Sequence, residues 1–195
     1  MAGIVPLNFC LKYLQANSVV STEEDKIRLF LKRLNIDFLK QEKVKAFAGY
    51  HVKIETFPSF KASIIPCGIE RKMSEPLSGM PKDESAYIKT CCFCEYAVKI
   101  SPDPRIMQKF KNGSLSVTSL SNQVLVIPEK HYPHWFTIPL ETQVKLFQNM
   151  LALRKAHSSE IKGPIEFHCG AAGGQTVFHF HGRTGVYIAR NLHAT

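Results

Sequence analysis

Four side chains of the kind that hold a tetrahedral metal are spread over nearly half of this chain, and they can meet only if the chain between them folds into a sheet. Cys91-Cys92-Phe93-Cys94 supplies a Cys-x-x-Cys pair, and His131 closes the apolar run Val124-Leu125-Val126-Ile127-Pro128-Glu129-Lys130. His179 follows much later. Two sulfurs and two imidazole nitrogens are the set that zinc prefers. With 36 residues between Cys94 and His131 and 47 between His131 and His179, this is not the spacing of a zinc finger. A site of Cys91, Cys94, His131 and His179 therefore requires long-range pairing of strands, and with four protein ligands its zinc is structural, since a catalytic zinc keeps a position open for water.

The second constraint overlaps the first. In Gly173-Gly174-Gln175-Thr176-Val177-Phe178-His179-Phe180-His181-Gly182-Arg183 apolar residues alternate with imidazoles. A strand over Val177 to Arg183, with its period of two, would present His179 and His181 side by side. Beside them, a glycine-rich bend that bares backbone N–H groups suits an oxyanion, which one imidazole could attack at phosphorus or serve with a proton.

These segments resemble the signature of the histidine triad (HIT) superfamily of nucleotide hydrolases and transferases, in which His-φ-His-φ-His-φ-φ follows a Gly-Gln-Ser/Thr turn. Leu125 to His131 is similar to the family's Leu-Val-Ile-Pro-Lys-x-His strand, and Cys91 to Cys94 to the Cys-Ile-Phe-Cys of its zinc-bearing bacterial members. The resemblance covers residues 88–195. It implies a zinc held by Cys91, Cys94, His131 and His179, and a nucleophile at His181 that forms a nucleotidyl-histidine relieved by water or another acceptor. It also implies phosphate contacts from Gly174, Gln175 and Thr176. At the third triad position stands Arg183, which cannot shuttle a proton near neutral pH but can pair its fork with phosphate. The family's transferase branches also lack the third histidine, carrying glutamine there. No acidic residue lies between Arg105 and Gln123, where relatives grip the ribose; Ser119 or Asn122 could substitute. Cys169 stands where many relatives have asparagine.

Composition bounds the rest. At 195 residues and 45% hydrophobic content the chain can bury one good core. It has no apolar run of about 18 residues, so no membrane partner is expected. Met1 to Cys10 has neither a basic start nor a convincing cleavage site, and six cysteines, three of them within 91–94, suit metal binding in a reducing cytoplasm better than a disulfide framework. Cys10, Cys67 and Cys169 read as small buried residues. The net charge of +9 divides into +3 for residues 1–87 (13 basic, 10 acidic) and +6 for 88–195 (12 basic, 6 acidic). A basic field of this kind attracts phosphorylated ligands, nucleic acid included, without selecting among them.

Along the chain, Ser21 with Glu24 fits a capping box. Helical spacing runs over about 23–48, as one helix through Ile27, Phe30, Leu31 and Leu34 and a second after a break near Asn35. Short strands over 51–65 and a linker over 73–84, with Pro76, Gly79 and Pro81, complete an N-terminal extension without chemistry of its own. In the HIT-like part, Phe93 to Val98 reads as a helix ended by Ser101-Pro102. Ile106–Lys111 and Leu115–Leu120 form a hairpin around Asn112-Gly113. Val124–Ile127 adds a strand. A long helix follows from about Thr137 to His157, then strands at Ile165–Cys169 and Val177–Arg183, with Val186–Ala189 as an extension. This is an α+β arrangement with an antiparallel sheet and one long helix, and the order matches the HIT fold. His134 and Trp135 read as packing in a Pro/aromatic turn, and His157, His168 and His193 have no evident partner.

Two functions remain open. One is a HIT-like hydrolase or nucleotidyltransferase acting on a nucleotide or nucleotide conjugate through His181. The other is a catalytically weak, zinc-stabilised module that binds nucleotides or nucleic-acid ends. HIT-like relatives often dimerise, which makes a homodimer an expectation for either.

Overall fold

In a computed structural model the described residues are 22–81, 83–98 and 105–188. The expectations placed on Met1 to Cys10, Ser21, Ser101-Pro102, Ala189 and His193 lie outside them. The chain runs α1 (Glu23–Val44), β1 (Phe47–Glu55), β2 (Lys61–Glu70), α2 (Glu84–Thr90), α3 (Cys92–Val98), β3 (Ile106–Phe110), β4 (Ser114–Thr118), β5 (Gln123–Pro128), α4 (Leu140–Ala156), β6 (Ile165–Cys169) and β7 (Gly182–Tyr187). All seven strands join one antiparallel sheet in the order β2-β1-β6-β7-β5-β4-β3. The class is α+β. No helix among the described residues is long and apolar enough to cross a membrane.

α1 is one helix where the sequence suggests two. Asn35 is a weak helix former, yet its amide exchanges hydrogen bonds with that of Gln143 on α4, at 2.7 and 3.3 Å. Ile27, Leu31, Leu34 and Phe38 carry a buried stripe straight through this point. Tertiary pairing thus satisfies the polar side chain that looked like a break. The N-cap is Thr22, whose hydroxyl accepts from the Asp25 N–H at 3.1 Å, and three acidic residues occupy the first turn, where the helix dipole favours them.

The two long helices pack on one face of the sheet. Their apolar sides meet Tyr50, Val52 and Ile54 of β1, Val124 and Val126 of β5, and Phe167 of β6 in a single core. On the opposite face, among the described residues, α3 covers only half the width. There Phe93 and Tyr96 of α3 close a smaller core on Leu115, Val117, Leu125 and Ile127. Strands beneath both layers must be apolar throughout, which is why β5 reads as an unbroken run and is buried at every position. β6 lies beyond the reach of α3 and alternates, with Ile165, Phe167 and Cys169 buried and Glu166 and His168 half-buried. The half of this face beyond α3 therefore carries polar side chains at Glu166 and His168.

The stretch 73–84, expected as a linker, is fastened to the core at Leu77 and Ser78: Leu77 is buried, Ser78 N donates to Ala48 O at 2.7 Å, and Ala171 N donates to Ser78 O at 2.7 Å. A short 3-10 turn at Ala171–Gly173 packs its backbone against β1. A Cβ added at Gly49 would lie 2.8 Å from Cys169 O and still closer to Gly173 N, both main-chain atoms that cannot swing aside. Gly49→Ala is expected to destabilise the protein by about 2–3 kcal/mol, read as a lowered urea midpoint. An unchanged midpoint would mean that this turn does not press on β1.

Candidate functional site

Cys91 lies between α2 and α3, and Cys94 sits in the first turn of α3. His131 follows the end of β5, and His179 lies on the segment entering β7. The fold brings all four together. Sγ of Cys91 is 3.5 Å from Nδ1 of His179, and Sγ of Cys94 is 3.3 Å from Nδ1 of His131 and 3.4 Å from Nδ1 of His179. The four ligand atoms lie within 4.8 Å of one another. Metal–sulfur bonds of about 2.3 Å and metal–nitrogen bonds of about 2.0–2.1 Å at tetrahedral angles place sulfur and nitrogen about 3.5 Å apart, so the donor set fits zinc. The tautomer fits as well. His179 donates its Nε2–H to Pro128 O at 2.8 Å, which turns the Nδ1 lone pair toward the sulfurs.

Burial, with the neighbouring Cys91 sulfur, pushes the Cys94 thiol up to about 12, and burial pushes the His179 imidazole down to about 4. A bound dication offsets the first effect by stabilising thiolate, and the second leaves the histidine in its neutral, ligating form. The sequence did not single out α2 or Tyr87. The Tyr87 ring packs on His131 at 5.7 Å, and its hydroxyl accepts from Phe178 N at 2.9 Å. A lone tyrosine before a Cys-x-x-Cys pair carries no signal of this role.

Val177 to His181 is not a strand, which corrects the expectation, and β7 begins only at Gly182. The backbone here bonds to groups other than a neighbouring ladder. Phe178 N donates to Tyr87, Phe180 N donates to Tyr132 O at 2.6 Å, and Val177 O accepts from the Gln175 side chain at 3.0 Å. The alternation survives all the same. Phe180 enters the main core between Trp135 and Phe167, while His179 and His181 both face Phe93, at ring distances of 5.9 and 5.2 Å.

His181 is buried, and its Nδ1–H donates to His179 O at 3.0 Å. That bond leaves the lone pair on Nε2. Burial, aided by Arg183 and His168, pushes the imidazole down to about 4, so it is neutral near pH 7. Arg183 lies two residues on, in register with Glu166 of β6 and Leu125 of β5, and so faces the polar half of the sheet.

The glycine turn is arranged differently from its expected form. Gly174 N donates to Ala171 O at 2.9 Å and Gln175 N to Gly170 O at 3.1 Å, so these N–H groups are consumed inside the turn and not bared. The Gln175 side chain accepts from Gly170 N at 2.9 Å and donates to Pro133 O at 2.5 Å, bracing the turn against the loop after β5. Thr176 remains exposed. The positive φ angles of Gly170 (75°) and Gly174 (88°) let so tight a turn close.

Trp135 is wholly buried and stacks on Phe167 at 4.2 Å, and Cys169 is likewise buried, so both belong to the packing. Burial, with a smaller contribution from Arg71, pushes His134 down to about 4, and its buried Nδ1 has no hydrogen-bond partner among the protein groups around it. The unfolded chain binds a proton near pH 6.5 that the folded chain refuses. Stability is therefore full above about pH 6.5 and lost as pH falls toward 4, with His134 contributing about 2–3 kcal/mol of that loss. Denaturant titrations of wild type and His134→Phe between pH 7 and 4 check this. Parallel pH dependences in the two proteins would refute it.

Two solved structures, of a uridylyltransferase and of a uridylyltransferase mutant, have similar backbones at 12% sequence identity, with TM-scores of 0.47 and 0.48. The match covers 88% and 90% of this chain and 61% and 63% of those chains, so this chain spans about three fifths of their length. No family model and no curated protein matches the sequence.

Proposed function

We propose that this protein is a HIT-like nucleotide hydrolase or nucleotidyltransferase in which His181 attacks the α-phosphorus of a nucleoside phosphate ester or anhydride. The observation that carries this reading is the bond from His181 Nδ1–H to His179 O, which aims an unprotonated Nε2 away from the backbone on the side of the sheet that bears Arg183. As the Nε2–P bond forms, the bond to the leaving oxygen breaks and its electron pair departs with the leaving group. Water or a second acceptor then displaces the histidine and regenerates the enzyme. The Arg183 fork pairs with non-bridging oxygens and stabilises the charge that builds on them. Thr176 offers an exposed hydroxyl donor at the rim. The metal centre, when loaded, supplies rigidity: it anchors His179, whose carbonyl in turn orients His181.

Intact-protein mass spectrometry after a neutral quench tests the proposal, with dinucleoside polyphosphates and nucleotide sugars as substrates. A nucleotidyl adduct whose mass reveals the base is expected. Arg183→Ala is expected to weaken nucleotide binding about tenfold or more, measured by calorimetry, because it removes a bidentate charged contact. The engaged donors of Gly174 and Gln175 favour a second reading, a module that binds nucleotides or nucleic-acid ends without efficient turnover. Tight binding with no adduct and no product over the whole panel would select it.

A further inference from the structure

A second group of ligating side chains occupies the polar half of the sheet. β1 and β6 pair with His51 opposite His168 and Lys53 opposite Glu166. The His168 Nδ1–H donates to Gly174 O at 3.0 Å, so the lone pair of this imidazole is on Nε2. That Nε2 is buried and has no hydrogen-bond partner. His51 Nε2 is also buried without one, and it stands 3.5 Å from a Glu166 oxygen. The two rings meet edge to face at 4.5 Å, and one ligand atom from each of the three residues lies within 4.8 Å of the others.

Leaving two imidazole nitrogens desolvated and unpaired is costly unless something occupies the space they face. An ordinary ion pair between His51 and Glu166 does not account for them, because the 3.5 Å approach makes no hydrogen bond and His168 Nε2 has no partner. Imidazole nitrogens with free lone pairs beside a carboxylate are donors to a cation. A backbone carbonyl on the far nitrogen of His168 is the outer-shell arrangement that orients ligating histidines. Lys53 reaches Glu166 at 3.8 Å but is 43% exposed and can swing to solvent. Arg183 lies opposite Glu166 on β7.

We propose that His51, Glu166 and His168 form a second metal site, which takes one divalent first-row cation through the two Nε2 atoms and the Glu166 carboxylate. Two histidines and one carboxylate leave coordination positions open, unlike the closed Cys/His centre. By strand alternation those residues share a face with His181 and Arg183. The open positions suit phosphate oxygens of a ligand held there; this role rests on the proposed function, whereas metal binding itself does not.

The test is Mn2+ titration of the zinc-loaded full chain, followed by the electron paramagnetic resonance signal of free Mn2+. Mn2+ is a hard ion and a poor competitor for the thiolate centre. One Mn2+ per chain is expected, with affinity reduced about tenfold or more in Glu166→Gln and in His168→Gln, each variant keeping a cooperative melt and its zinc content. His51→Gln provides the same readout if either variant fails to fold. Co2+ added to the zinc-loaded protein should show weak ligand-field bands without thiolate charge transfer. Absence of stoichiometric Mn2+ binding up to millimolar concentration, or binding indifferent to all three substitutions, would overturn the site. No nucleotide is present in this experiment, so failure to find a nucleotidyl adduct leaves its result intact.

Discussion

His181→Ala should abolish the nucleotidyl adduct and lower turnover by about 10⁴-fold or more, equivalent to about 5 kcal/mol of transition-state stabilisation. The expected size follows from the chemistry. On the proposed mechanism this imidazole forms the bond to phosphorus, and the histidine and the arginine two residues to either side of it cannot replace it. His179 directs its Nδ1 toward the Cys/His centre and its Nε2–H to Pro128. Arg183 has no lone pair to offer at neutral pH. Nucleotide binding should survive the substitution, since the phosphate contacts are assigned to Arg183 and Thr176. His181 is buried against Phe93, so the variant's melting temperature and zinc content must accompany the kinetics. A folded, zinc-bearing His181→Ala protein that still accumulates the adduct would place the nucleophile elsewhere.

Removing the metal should have the largest effect on stability. Cys94→Ala deletes the sulfur that approaches both histidines, and it is expected to abolish zinc binding and cost several kcal/mol. That is less than the ~10–16 kcal/mol known for zinc-finger peptides, because here a seven-stranded sheet exists without the metal. The loss should be felt first near the centre. α2 and α3 reach the sheet beside it through Tyr87 and Phe93, and the segment 175–181 lacks strand pairing to hold it. Elemental analysis with thermal melting, repeated on wild type treated with a chelator, measures both parts. Hydrogen exchange should rise at Phe178 and Phe180 well before it rises in β1. A Cys94→Ala protein that carries no zinc yet keeps wild-type stability and adduct formation would show the centre to be dispensable.

Most elements were legible where local pattern and tertiary demand agree. The Asn112-Gly113 turn, the unbroken apolar run of β5 and the Ile165–Cys169 alternation each state a local geometry that the sheet then uses. That Cys91, Cys94, His131 and His179 come together was legible for another reason: their chemistry allows few alternatives, and their spacing demands a sheet. The exceptions are places where a distant partner decides. Asn35 reads as a helix break until Gln143 is beside it. Val177 to His181 has the period of a strand, yet Tyr87, Tyr132 and Gln175 take the hydrogen bonds that a ladder would have used. The Gly174-Gln175 bend reads as an open anion cradle and is closed by its own backbone.

By itself, then, the sequence determined the α+β class, the order of most strands along the chain, and which cysteines and histidines can hold a metal. These follow from side-chain period and from ligand chemistry, which are local properties. Only the tertiary structure decided that β1 of the N-terminal segment lies against β6, which sets His51 opposite His168, and that Ser78 is fastened to β1. It alone decided which nitrogen of His179, His181 and His168 carries the proton. The carbonyls that set those tautomers belong to Pro128, His179 and Gly174, and where a backbone oxygen points depends on the path of the folded chain.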